Sequence, residues 1–559
     1  MSSLLKNYIN REYFDSYEDF YENFEISYPD TYNFAYDVVD KYAETEEDKL
    51  AMIWIDDTDE EHQFTFKDIS IQSQKTANYF KKIGIKKGDT VLVTLKNRYE
   101  FWFTIIALHR IGAIIIPATH MLKPHDIVYR VEQANSKTII TYDGEKLPEI
   151  YEEAEAEMGI ELHKILVGSS REGWDNFHES IKDESEVFPR PTGDEATTAE
   201  ELSAIYFSSG TSGMPKMVSH THAYSLGHII TAKYWQGVVE NGLHCTVADT
   251  GWAKAVWGSL YGQWLSGCAV FVYDYNRFNP EKMLEHMSHY KLTTFCGPPT
   301  VYRFLIREDL SKYDLSSIQE VVTAGEPLNT AVFYKIKEAL GLEVREGFGQ
   351  TETIISCCNF KFNQTNLGSI GTPSPSYHIS LLNKECEPVD VGEEGEICID
   401  ISEKHPWGLF VGYHNNPEKT NAACHDGFYH TGDTGWIDEN KHYHFIGRTD
   451  DLIKSSGYRI GPFEVENSVV GHPAAVECAV TAYPDEIRGE IVKATIVLAD
   501  GYSPSDELIK DIQNHVKNDT APYKYPRRIE FVEELPKTPN GKIQHGVIRN
   551  KDLELLNRK

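Results

Sequence analysis

The sequence predicts an α/β protein: a large N-terminal part of several subdomains, with two mostly parallel sheets plus a β-rich subdomain, and a small α+β C-terminal domain. Three observations carry that expectation. The chain has 559 residues, too many for one hydrophobic core. Short apolar runs alternate with helix-length amphipathic stretches to about residue 345, the rhythm of parallel sheets. After about residue 368 Gly, Pro and Asp become frequent and short strands follow one another.

Taken in order, residues 1–65 read as helical and irregular, rich in Tyr, Phe, Asp and Glu. The segment Met1–Asp30 lacks the basic start and apolar run of a signal peptide. Thr65 is a cap candidate for a helix over Phe66–Ile83, with Gly84 as its stop. A turn at Lys87-Gly88-Asp89 leads into a strand over Thr90–Leu95, then a helix over Phe101–Ile111 and a buried strand over Ala113–Pro117. Thr138–Thr141, Ala269–Val272, Thr293–Phe295 and Glu320–Thr323 continue the strands. Ile379–Leu382 and Gly395–Ile399 open the β-rich part. Strands over Ala475–Ala482, Ile491–Leu498 and Arg528–Phe531, with a helix over Ser505–Val516, make the last domain. Its boundary falls near Asp450, giving domains 1–449 and 450–559.

Lys and Arg total 54 against 86 Asp and Glu, a net charge of −32. Such a surface repels nucleic acid and anionic lipid, so a site for polyanions must supply its own cations, backbone N–H groups or metal. The nine cysteines contain no C-x-x-C pair, and the adjacent Cys357 and Cys358 are poorly placed for chelation. They read as reduced, mostly buried thiols of a cytoplasmic protein. No stretch approaches the 18 apolar residues of a membrane span.

Four segments carry chemistry. Ser208-Ser209-Gly210-Thr211-Ser212-Gly213-Met214-Pro215-Lys216 follows an apolar strand over Ala204–Phe207 and precedes another over Met217–His220. Its glycines permit a backbone loop whose N–H groups point at phosphate oxygens, and Ser209, Thr211, Ser212 and Lys216 add donors and charge. Pro215 and the following strand set it apart from a Walker loop, which leads into a helix. In Gly347-Phe348-Gly349-Gln350-Thr351-Glu352 a carboxylate suits Mg²⁺ shared with nucleotide phosphates, and Phe348 offers a ring to a purine. In Tyr429-His430-Thr431-Gly432-Asp433 an Asp at a loop tip suits ribose hydroxyls, and Arg448 follows within Gly447–Gly457. Near the end, Pro536-Lys537-Thr538-Pro539-Asn540-Gly541-Lys542 exposes a lysine on a stiffened loop. Taken singly, each is also compatible with a solvated turn.

Together, in this order and at these separations, they resemble the adenylate-forming superfamily of acyl-CoA synthetases, luciferases and nonribosomal-peptide adenylation domains, over nearly the whole chain. Gly325-Glu326-Pro327, Gly368-x-x-Gly371-x-Pro373 and Gly412-Tyr413…Pro417-Glu418-x-Thr420 support it. Asp249-Thr250-Gly251-Trp252 and Tyr458-Arg459-Ile460 look most like the medium-chain acyl-CoA synthetases.

The resemblance implies an ATP-dependent acid–thiol ligase. A carboxylic acid and ATP would give acyl-AMP and pyrophosphate, and coenzyme A would then take the acyl group. It implies that the Ser208–Lys216 loop holds the β- and γ-phosphates, that Gly325, Glu326 and Pro327 line adenine and ribose, and that Phe348 stacks on adenine. It gives Thr351 the α-phosphate, Glu352 the Mg²⁺, and Asp433 with Arg448 the ribose hydroxyls, with Gly349 and Gln350 in the same segment. Lys542 would bridge the attacking carboxylate and the α-phosphate, where charge builds up. Asp450 would be the hinge of a mobile C-terminal domain. That domain presents Lys542 in one half-reaction and the segment of Ser456, Gly457 and Tyr458 to coenzyme A in the other, with Arg459 near phosphate. Trp252, Lys254, Cys296 and Gly349 would line the acyl pocket. A tryptophan in acetyl-specific relatives stands where Gly349 leaves space, so a medium-chain or branched short-chain acid is expected. Lys254 is unusual there, and a snorkelling side chain is the plainer account.

The expected partners are a carboxylic acid, ATP and coenzyme A, with no nucleic acid and no membrane span; a homodimer is compatible with the sequence. Competing readings are an adenylation enzyme that loads a free-standing carrier protein (no carrier module follows Lys559), a luciferase-type oxygenase, and a silent ATP-binding regulator. The intact Lys216, Glu352, Asp433, Arg448 and Lys542 weigh against the last.

Overall fold

The structure, a computed structural model, describes residues 4–208, 214–326, 328–449, 451–455, 458–485, 488–537 and 543–557. Two large sheets dominate. In the nine-stranded one, Leu50–Asp56, Ala269–Asp274, Leu243–Thr246, Thr294–Cys296, Glu320–Ala324 and Val344–Phe348 lie side by side and parallel, with antiparallel strands at both edges. In the eight-stranded one, Thr90–Thr94, Ile114–Pro117, Thr138–Tyr142, His163–Val167 and Leu202–Ser208 belong to the parallel core. Parallel strands between helices are covered on both faces, so they read as continuous apolar runs. Ile114–Pro117 is buried at all four positions.

The expected elements form where their signals lie. Thr65 caps the helix Phe66–Lys82 and Asp68 returns the bond, a reciprocal capping box. Gly84 follows in the left-handed region at φ +95°. The helix Glu100–Ile111 is buried throughout, and the helix Asp506–Asp519 is capped by Ser505.

One expectation is corrected. Residues 1–65 are not only helical and irregular: Leu50–Asp56 pairs antiparallel with Glu61–Thr65 and parallel with Ala269–Asp274. The first is sandwiched between neighbours on both sides, so its run Leu-Ala-Met-Ile-Trp-Ile has no alternation to betray a strand.

The β-rich part is a five-stranded antiparallel sheet of Ile379–Leu382, Gly395–Asp400, Phe428–Ile437, Cys424–His425 and Tyr443–Arg448. Between its second and third strands in sequence the chain leaves it and adds Gly412–Tyr413 to the edge of the eight-stranded sheet, beside Lys216–Thr221. A fourth sheet is built from Ile453–Ser455, Tyr458–Ile460, Ala475–Asp485, Gly489–Leu498 and Arg528–Val532. It has its own apolar cluster, including Ile453, Val465, Val480, Ile496 and Ile512. Asn329 bonds to Asn467 at 2.7 Å and so joins this unit to the nine-stranded sheet. Among the described residues no helix is long and apolar enough to cross a membrane. The nine cysteines are free thiols, seven of them buried.

Candidate active site

The strands that flank the glycine-rich segment, Leu202–Ser208 and Lys216–Thr221, pair antiparallel, with Ser208 opposite Lys216. Ser209, Gly210, Thr211, Ser212 and Gly213 lie outside the described residues. Lys216 points its ammonium over the Tyr413 ring, 4.9 Å from the centroid, with Nζ 3.4 Å from the hydroxyl. That hydroxyl donates to Glu352 Oε1 at 3.0 Å. Burial, and then the Glu352 charge, push the Tyr413 pKa up and keep its proton in place. Three distant segments thus meet at one point. Tyr413 stood in the sequence only as part of a supporting motif, because its role depends on an edge-strand pairing that the motif does not show.

The Phe348–Glu352 segment leaves the end of a parallel strand, where open α/β sheets place their ligands. Phe348 is half-buried, its ring 6.1 Å from that of Phe445. The Gln350 amide donates to the Thr431 carbonyl at 2.8 Å and to Asp433 Oδ2 at 2.5 Å, while its oxygen accepts from the Tyr429 hydroxyl at 2.7 Å. The Thr351 carbonyl lies 2.8 Å from His220 Nε2. Burial pushes His220 down to about 4. The imidazole is neutral, and since a carbonyl can only accept, its proton sits on Nε2. Sequence reasoning missed His220, which looks like any strand residue.

Asp433 and Arg448 face each other across antiparallel strands, Oδ1 to Nη1 at 3.2 Å, and Arg448 also donates to the Thr431 carbonyl at 3.0 Å. Gly432 has φ +71°, and a Cβ there would lie 2.7 Å from Arg448 Nη2. The positive φ demands glycine; the guanidinium tip itself could give way to a methyl.

Gly325 has φ +102° just past the strand Glu320–Ala324. Glu326 lies 3.9 Å from Arg303, and Pro327 is outside the described residues. Leu328 donates its backbone N–H to Glu346 at 2.8 Å. Burial raises the Glu346 pKa to about 8, so the carboxyl is largely protonated at neutral pH. Lys254 does not snorkel away: its Nζ donates to the Ala324 carbonyl at 2.8 Å, beside Gly325. Trp252 precedes the helix Ala253–Ser259, with its indole N–H buried and unpartnered among the described residues. Cys296 ends a parallel strand in the core, its thiol pushed up by burial.

Gly349 requires a correction. It does not leave volume open, because a Cβ there would sit 2.5 Å from the Ile354 carbonyl and 2.6 Å from Trp257 Cη2. A tryptophan from another helix, anchored by its N–H on the Tyr224 hydroxyl at 3.0 Å, fills the space.

Asp450, Ser456, Gly457 and Lys542 lie outside the described residues, as do the side chains of Tyr458 and Arg459. Thr449 donates to the Gly432 carbonyl at 2.9 Å just before the first, and a bridge between Lys537 and Ile543 brackets the last. The structure therefore gathers Lys216, Glu352, Gln350, Asp433 and Arg448 around one segment and sets Lys254 beside Gly325. Cys296 stays in the core.

A family model described as AMP-binding enzyme matches residues 39–414, and the AMP-binding enzyme C-terminal domain matches 464–542. The chain belongs to the AMP-binding enzyme family. Mitochondrial acyl-coenzyme A synthetase ACSM3 of Mus musculus is 40% identical over 550 residues, 96% of this chain and 94% of that one. The Homo sapiens protein is 40% identical over 554 residues, 97% and 93% of the two chains. The crystal structure of the anthranilate CoA ligase AuaEII in complex with anthranoyl-AMP superposes with a TM-score of 0.86 at 29% identity, covering 95% of this chain and 99% of that one. A benzoate CoA ligase from Burkholderia xenovorans LB400 gives 0.80 at 26%, covering 93% and 100%. Within the AMP-binding family this is an acyl-coenzyme A synthetase, an ATP-dependent acid–thiol ligase of the AMP-forming kind.

Proposed function

We propose that the protein activates a medium-chain or branched short-chain fatty acid with ATP and Mg²⁺ and transfers the acyl group to coenzyme A. The observation that carries this reading is the convergence of Lys216, Tyr413 and Glu352 on one side of Gln350–Thr351, and of Asp433 and Arg448 on the other. One side suits phosphates and a cation, the other a ribose diol. Glu352 fits a magnesium site shared with phosphates, because Tyr413 takes one lone pair of its carboxylate and others are left. Bound there, Mg²⁺ would neutralise phosphate charge.

The acid is ionised at neutral pH and needs no general base. Positive charge must instead meet the charge that grows between carboxylate and α-phosphate, the part given to Lys542. Asp433 and Arg448 would orient the ribose, Gln350 would hold Asp433 in place, and Lys254, beside Gly325, would face the acyl-adenylate. We place the boundary of a mobile C-terminal domain at Asp450, with residues 450–559 turning Ser456–Tyr458 toward coenzyme A. A reducing compartment, the cytoplasm in our reading, suits the free thiols, though the ACSM3 relatives carry the word mitochondrial in their names.

An aromatic acid is the second reading, favoured by the likeness to the anthranilate and benzoate ligases. The test is acid-dependent pyrophosphate release across straight, branched and aromatic acids, with and without coenzyme A. Hexanoate or 2-methylbutyrate above benzoate supports the first reading. Release without any thioester product would instead favour loading of a carrier protein.

A further inference from the structure

The turn that enters the helix Ala253–Ser259 is gripped at Asp249, Thr250 and Gly251 by the other large sheet. Asp249 stands just past the strand Leu243–Thr246 of the nine-stranded sheet. Its Oδ1 accepts the Gly251 N–H at 2.7 Å, and its carbonyl accepts the Trp252 N–H at 3.1 Å. Its other carboxylate oxygen, Oδ2, accepts from His120 Nδ1 at 2.8 Å. Thr250 donates its hydroxyl to the Lys96 carbonyl. Gly251 packs so closely that a Cβ would lie 2.3 Å from the Thr119 backbone nitrogen. Lys96 and His120 stand just past Thr90–Thr94 and Ile114–Pro117, parallel strands of the eight-stranded sheet. The grip lies where carboxyl ends of parallel strands from both sheets meet, the place where α/β sheets hold ligands.

The gripped turn governs three side chains. Trp252 stands at the start of the helix, Lys254 Nζ donates to the Ala324 carbonyl beside Gly325, and Trp257 lies against Gly349. Two of the grips use backbone atoms of the eight-stranded sheet. His120 supplies a side chain, so its grip is the one that substitution can release.

We propose, on the reading that Trp252 and Lys254 line the acyl pocket, that His120 is a positioning residue for that pocket. It acts through Asp249, which sets Trp252 and the helix behind it. The imidazole also makes the brace sensitive to pH. Burial lowers the His120 pKa, but the hydrogen bond and charge of Asp249, with the charge of Glu145, outweigh both burial and the opposing Lys96 charge and raise it. Glu145 Oε2 lies 3.6 Å from Nε2. Protonated, His120 makes a charge-assisted bond to Asp249; neutral, it makes a weaker one. The brace therefore loosens as pH climbs through the raised value.

The test is steady-state kinetics of the full chain with hexanoate and ATP varied in turn. His120→Leu should raise the KM for hexanoate about 10-fold or more, because a hydrogen bond to a charged group is lost, and leave the KM for ATP nearly unchanged. His120→Asn keeps a donor where Nδ1 stands and should restore a KM near that of wild type. In wild type, kcat/KM for hexanoate relative to that for ATP should fall as pH rises through the His120 value. His120→Asn has no ring to titrate and should lose that fall. Trp252→Leu separates the two levels. An altered hexanoate KM in Trp252→Leu but not in His120→Leu overturns the positioning role alone, as does an equal rise in both KM values in His120→Leu. An unaltered hexanoate KM in Trp252→Leu overturns the reading of the pocket and the inference with it. Should His120→Leu fail to fold, the pH profiles of wild type and His120→Asn decide, and identical profiles overturn the role.

Discussion

Tyr413 lies between Lys216 and Glu352: its ring carries the ammonium and its hydroxyl is committed to the carboxylate at 3.0 Å. Tyr413→Phe keeps the ring and deletes the donor. A hydrogen bond to a charged group contributes about 1.5–3 kcal/mol, so the KM for Mg·ATP should rise roughly 10- to 100-fold by the tenfold-per-1.4-kcal/mol rule, with kcat less affected. Steady-state kinetics in ATP check this, and an unchanged KM would remove Tyr413 from the site.

Lys542→Ala should cripple the first half-reaction and spare the second. Loss of one transition-state donor costs about 10²–10³ in rate. Acid-dependent pyrophosphate release should fall by that factor, while thioester formation from supplied acyl-adenylate continues. Equal losses in both would refute the assignment. Acylation of Lys542 should copy the mutant by removing its charge.

Asp450→Pro restricts φ at the proposed hinge. Adenylation should persist while the complete reaction with coenzyme A stops. Normal turnover would show that rotation occurs elsewhere.

Trp257, not the absence of a side chain at Gly349, is the obstruction to test in the proposed acyl pocket. Trp257→Ala should raise kcat/KM for longer acids relative to short ones. Each newly buried methylene contributes about 0.8 kcal/mol, so three would give a preference of about 60-fold. Gly349→Ala should instead destabilise the fold by about 1–3 kcal/mol, since the added methyl overlaps a carbonyl and an indole. Kinetics on an acid series and thermal melts separate the two effects.

The last prediction is a pH dependence. His545 Nε2 lies 2.6 Å from Glu466. Burial alone would lower its pKa, but the Glu466 charge and hydrogen bond win and raise it above 6.5. The raised folded-state value means that this pair stabilises the C-terminal unit fully below the unfolded pKa and loses that contribution as pH climbs through the folded one. His545→Gln should flatten the pH dependence of melting over that window, with the largest loss of stability on the acid side. An identical profile in both proteins would count against it.

Much of the fold was legible because its signals are local. Thr65 marks a helix start, Gly84 its end, and the apolar runs Ala204–Phe207 and Met217–His220 a pair of strands. Leu50–Asp56 was not legible, as a strand buried among neighbours loses its alternation. In the site, Asp433 and Arg448 could be paired by motif alone. Trp257 against Gly349 could not, because an indole from a helix that meets the bare backbone of a distant segment leaves no spacing to read. Tyr413 falls between: its motif was visible, but its partners needed a third strand, Gly412–Tyr413, beside Lys216–Thr221.

That third strand has a further consequence. Because the chain quits the β-rich sheet to lay Gly412–Tyr413 beside Lys216–Thr221 and then returns at Cys424, the β-rich part is not a bead that could be lifted out or exchanged between relatives. A splice anywhere between 401 and 423 would part Tyr413 from one of the two sheets it ties together. Recombination should therefore tolerate breakpoints in the turn at 383–394, and chimeras of this enzyme should inherit residues 395–448 as one block.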